Sequence, residues 1–86
     1  FRFRRKQRFS WGGAELCLTV AHGRVADARL FTDSLDPELS ETAESALRGV
    51  VFSAEALCGA LRAVSCPEDR RQMLADITVL VQNAEV

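Results

Sequence analysis

Along the first third of the chain, apolar and polar residues trade places one by one. Phe1, Phe3, Phe9 and Trp11 fall on odd positions, whereas Arg2, Arg4, Lys6 and Arg8 fall on even ones. A repeat of two marks a strand with one buried face, so these aromatic side chains are expected in the core. Arg5 and Gln7 interrupt the apolar side, which places the segment at a sheet edge or frays it there; positive charge on an edge hinders stray pairing with other chains. Gly12 and Gly13 break the pattern as a bulge or tight bend. Residues 14–21 alternate again, with Leu16, Leu18 and Val20 on one face and Cys17 and Thr19 on the other. Ala21 to Arg24 reads as a turn in which Gly23 supplies a positive φ. Residues 25–32 form the next strand, with Ala26, Ala28 and Leu30 on one face and Val25 and Phe31 on the other. Links this short predict an antiparallel meander of three strands.

The period then lengthens. Asp36 is placed to cap a helix and Pro37 to open it, because the first helical position has no use for an N–H. Leu39, Ala43, Ala46 and Leu47 make a stripe at helical spacing, and Gly49 ends it. Val50 to Phe52 read as extended. Ser53 caps a second helix, with Phe52 and Leu57 spaced as a hydrophobic staple and Leu57, Leu61 and Val64 as its buried side. Ser65 or Cys66 starts a third helix, whose apolar face is Met73, Leu74, Ile77, Leu80, Val81 and Ala84. Strands first and helices after predict an α+β fold: a three-stranded antiparallel meander covered on one face by three helices.

Eighty-six residues, 48% apolar and 27% charged, amount to one small packed domain spanning residues 1–86. No run of 18 apolar residues is present, so no membrane span is expected. The absence of a signal peptide leads to a cytoplasmic expectation. The chain starts at Phe1, inside a strand, which suggests a piece excised from, or partnered with, a larger catalytic domain. Net charge is only −1, yet the first eight residues carry five cations and the remainder is acidic. Clustered arginine with aromatics is one way to hold nucleic acid. Here the aromatics alternate to the opposite face, so a solvated edge strand is expected and nucleic acid is not.

Chemistry-bearing residues are sparse. Cys17, Cys58 and Cys66 contain no Cys-x-x-Cys pair, and His22 is the single histidine. A structural zinc site wants four closely paired ligands, so buried apolar thiols are the expectation and no metal is assigned. Cys66, placed near a helix start, has no second catalytic group beside it. Asp33, Ser34 and Asp36 form the densest polar cluster, and turn chemistry accounts for such residues where a strand becomes a helix. Gly12-Gly13 lacks the lysine and glycine spacing of a phosphate loop. No catalytic set is complete, so a binding or accessory module is expected.

Three segments in combination resemble a known family. They are Arg8-Phe9-Ser10-Trp11-Gly12-Gly13-Ala14-Glu15-Leu16, the turn His22-Gly23-Arg24-Val25, and the run from Val25 through Phe31-Thr32-Asp33-Ser34-Leu35 to Asp36-Pro37, with Leu47-Arg48-Gly49 after them. The combination is similar to the C-terminal accessory domain of bacterial lipoate–protein ligase A and covers roughly residues 1–64. Asp36 stands where the family usually has asparagine. The resemblance implies a fold like the sulfur-carrier and iron–sulfur scaffold proteins. It further implies a parent ligase that uses ATP, Mg²⁺ and lipoate, all held by a large catalytic domain and none by this one. That enzyme makes lipoyl-AMP and then modifies a lysine on lipoyl domains of 2-oxoacid dehydrogenases and on glycine cleavage H protein. The small domain is then not catalytic on its own, and its partner is the large domain. Candidate docking residues are Arg4, Arg5, Arg8, Trp11, Gly12, Gly13, Thr32, Asp33 and Ser34. The alternative is a cysteine-based sulfur or iron–sulfur carrier on a similar fold, using Cys17, Cys58 and Cys66.

Overall fold

The computed structural model describes residues 1–82. Strands β1 (Arg2–Phe9), β2 (Gly12–Ala21) and β3 (Arg24–Thr32) are followed by helices α1 (Leu39–Leu47), α2 (Ala54–Arg62) and α3 (Glu68–Val81). The sheet is antiparallel with β2 in the middle, so the expected α+β meander with three helices is what forms. Ala84, predicted for the apolar face of α3, lies outside the described residues.

Alternation does the work in the sheet. Phe3, Ala14, Leu16, Leu18, Ala28 and Leu30 all point to the helical side and are buried. α1 lies against β3, α3 reaches β1, and α2 packs on α3 and α1. Their buried stripes include Leu39, Ala43 and Leu47, then Leu57 and Leu61, then Leu74, Ile77, Leu80 and Val81.

Three local expectations are corrected. First, Val25 is buried and Ala26 exposed, the reverse of simple alternation. Thr19 pairs with Asp27 but Val20 pairs with Val25, so Ala26 is an extra, unopposed residue. Such a bulge flips the facing of the strand beyond it. Second, the turn at Pro37 and Glu38 precedes α1, which begins at Leu39. Third, Pro67 occupies the cap position of α3, where no side chain caps the helix. Phe1 also departs from expectation: it is exposed, although its ring meets Phe52 edge-on at 5.6 Å. Other sequence signals hold. Ser53 Oγ accepts from the Ala56 N–H at 3.2 Å, and Gly49 has φ +82° where α1 ends. In the β2–β3 turn His22 joins Gly23 at positive φ, 55° and 75°, as a tight two-residue hairpin turn requires.

The two sheet edges differ. The outer edge of β3 is occupied: the Val25 N–H donates to Val50 O, Gly49 N–H to Val25 O, Phe52 N–H to Gly23 O, and Leu30 N–H to Glu44 Oε2. β1 is the other edge, and it is the arginine-rich strand.

Candidate functional site

The corner where β1 turns into β2 and β3 runs out is built from backbone demands. Gly12 has φ +138°, a conformation that side chains other than hydrogen avoid. That twist turns the Gly13 N–H toward Asp33, whose Oδ1 accepts it at 2.8 Å. Thr32 Oγ1 donates to Gly13 O at 2.8 Å and accepts from the Ser34 N–H at 3.1 Å. Ser34 Oγ in turn accepts from the Asp36 N–H at 3.1 Å. Gly12, Gly13, Thr32, Asp33 and Ser34 are thus brought together, and their polar groups are largely spent on holding the strand-to-helix passage.

The chain of bonds continues on the helical side. Asp36 Oδ1 accepts from the Glu38 N–H at 3.0 Å, and Arg70 of α3 grips the same carboxylate with Nε at 2.6 Å and Nη2 at 3.2 Å. The two side chains are only 15% and 17% exposed. Trp11 donates its indole N–H to Asp76 Oδ2 at 2.7 Å and stacks on Phe9 with centroids 5.2 Å apart. Trp11, Leu35, Arg70 and Met73 help to line an open cleft of about 520 Å³. The Arg70 bond first, and the Glu38 N–H second, hold the Asp36 carboxyl below the ordinary carboxylate range. A depressed folded pKa stabilises the fold above the unfolded aspartate value of about 3.9, and the benefit disappears as pH falls through the lower folded value. Asp36→Asn is therefore expected to melt below the parent at neutral pH, with the gap closing in strong acid. Thermal melts of both chains across the acid range check this.

The opposite face of the sheet carries no helix. Reading across it, Lys6, Glu15 and Phe31 form one row and Arg4, Cys17 and Arg29 the next. Arg4 Nε is 2.7 Å from Glu15 Oε2, and Arg29 Nε is 3.5 Å from Asp27 Oδ2. Arg2, Lys6 and Arg8 make no ion pair among the described residues. Phe31 is 58% exposed and stands between two hollows, about 410 Å³ toward Arg8 and Gly13 and about 260 Å³ toward Arg2 and Cys17.

The predicted docking residues therefore divide. Arg4, Arg8 and Gly13 belong to the helix-free face, with Asp33 at its end. Arg5 lies on the other side, its guanidinium 4.7 Å over the Phe3 ring, and Trp11 and Ser34 line the helical cleft. Phe31 was not among the candidates, although its phase opposite Leu30 put it on that face. The cysteines are dispersed: Cys17 on the sheet, Cys58 buried in α2 with its thiol 3.7 Å from Thr78 O, and Cys66 in the α2–α3 link. Among the described residues no three of His, Cys, Asp and Glu gather in a group able to hold a metal ion. Nor is any helix there long and apolar enough to cross a membrane.

Comparison with known proteins adds two findings. The family model for the bacterial lipoate protein ligase C-terminus matches residues 1–78. Among solved structures the chain is similar to P. falciparum LipL1, crystallised in complex with lipoate, at 20% identity and a TM-score of 0.77. That match covers 93% of this chain and 24% of the other, so the present chain spans about a quarter of that relative's length. At this identity the likeness concerns the fold.

Proposed function

This chain belongs to the bacterial lipoate protein ligase C-terminus family, and from that membership we propose that it is the accessory module of a lipoate–protein ligase. In this reading it supports the ATP-dependent activation of lipoate to lipoyl-AMP by a large domain, ahead of transfer to a lysine of lipoyl domains. The family match, running through the whole sheet and into α3, is the observation that carries it. ATP, Mg²⁺ and lipoate are assigned to the large domain, and this chain contributes shape and charge.

The physical role follows from what adenylation needs. The carboxylate and the nucleotide phosphates must be held in line with water kept out. A rigid small domain leaning on the site closes it, and its withdrawal later admits the acceptor protein. Rigidity is what this chain offers: a core shared by all six elements, and a corner whose turn is pinned by side chains from β3, from α3 and from the links beside them. The test is reconstitution. Adding the purified chain to its separately expressed large domain is expected to raise lipoyl-AMP formation at least about tenfold, well inside the roughly 100-fold that a small misplacement of the reacting groups costs. No rise at saturating chain would remove the accessory reading.

A further inference from the structure

Resting on that accessory reading, we propose that the helix-free face of the sheet is the surface that meets the large domain, through a groove between Phe31 and the cations Lys6 and Arg8. The large domain then presents carboxylates around an apolar side chain.

The occupant is argued from charge and shape. Elsewhere on this face cations are matched: Arg4 by Glu15 and Arg29 by Asp27. Arg2, Lys6 and Arg8, spaced along the edge strand, have no such match among the described residues. Three unmatched cations in one line call for an acidic counterpart, and complementary charge sets the orientation of docking. The groove floor is open at Gly13, which has no side chain and nothing within 4 Å of where its Cβ would be, while Glu15, engaged by Arg4, stands in the row between Lys6 and Phe31 and Asp33 lies at the end. Phe31 forms one wall and the cationic β1 side chains the other, two strand spacings or about 10 Å away. That width admits one extended segment or the side chains of one helix. A large aromatic beside a cationic rim is the make-up of an interface anchor. The other exposed large apolar residues, Leu35, Val51, Val79 and Phe1, lie on loops, a helix and the chain start. The size of the neighbour agrees: in the LipL1 chain the matching part is only 24% of the length.

The test measures the dissociation constant between the chain and its large domain by titration calorimetry, with lipoyl-AMP formation followed in parallel. Lys6→Glu with Arg8→Glu is expected to weaken binding about 30-fold or more and to flatten its salt dependence. Phe31→Ser is expected to weaken it about tenfold, and Glu55→Lys on exposed α2 to leave it within about twofold. All these positions are exposed, and circular dichroism of each variant confirms the fold. If the sheet variants bind and restore activation like the parent, the face assignment is overturned while the accessory role stands. If the parent itself neither binds nor restores activation, both are overturned. If sedimentation shows instead that the chain pairs with itself through this face, and Phe31→Ser dissolves the pair, the large domain is not the occupant.

Discussion

Leu16→Ala is expected to lower the melting temperature by about 10–30 °C and to leave the chain close to unfolding at physiological temperature. Leu16 is fully buried in the middle of the central strand, paired with Arg5 on one side and Leu30 on the other. Its side chain stands on the helical face with Ala14 and Leu18, so the core elements from both layers surround it. Truncation loses the transfer energy of the removed carbons and leaves a cavity that a sheet held on both sides closes poorly. The usual cost is about 2–5 kcal/mol. A domain of this length has about 4–13 kcal/mol in all, at about 0.05–0.15 kcal/mol per residue. The contrast is Leu35→Ala. Leu35 is 99% exposed, buries nothing, and its replacement is expected to leave the melt unchanged. Equal losses at both positions would contradict the assigned core. Thermal unfolding followed by circular dichroism decides it, and addition of the large domain to Leu16→Ala should recover part of the loss, because a partner that binds only the folded chain stabilises it.

How far the sequence foretold this arrangement depends on the range of the interaction. Period-two alternation found all three strands and the facing of Phe3, Leu16, Leu18 and Leu30, since one residue's phase fixes the next. Caps at Ser53 and Gly49 were legible because cap chemistry is local. The bulge at Ala26 was not, because the extra residue shows only when β3 is laid against β2. Nor were the pins on the corner. Arg70 reaches Asp36 across 34 residues, and Trp11 reaches Asp76 across 65, and nothing in either neighbourhood names the partner. The candidate surface was half legible for the same reason. The pattern put Lys6, Arg8 and Phe31 on the faces they occupy. That the helices roof one face and leave the other bare was expected too; which hollows flank Phe31, and which cations on that face stay unmatched, is a matter of packing that only the assembled fold shows.

The corner supplies the sharpest separation of two residues that look alike in sequence. Gly12→Ala is expected to cost about 2–4 kcal/mol, the sum of backbone strain and a displaced hydrogen bond, whereas Gly13→Ala is expected to cost little. At Gly12 φ is +138°, and an added Cβ would run into the Asp33 carboxylate, at Oδ1, the atom that accepts the Gly13 N–H. At Gly13 φ is not positive and the space is open. The strain and the collision can be told apart by a double-mutant cycle. Asp33→Ala alone removes one hydrogen bond, worth about 1 kcal/mol. In Gly12→Ala with Asp33→Ala the collision is gone, so the pair should be less destabilised than the two single losses added together. Additive losses would mean that Gly12 is required for its φ alone and that the carboxylate yields freely. The distinction bears on function because Gly13 floors the proposed groove. Gly13→Ala, folded and stable, places a methyl in the path of an incoming segment, while Gly12→Ala loosens the turn that sets Gly13 opposite Thr32 and Asp33. A stable Gly13→Ala that binds the large domain less well than the parent is the result the groove requires.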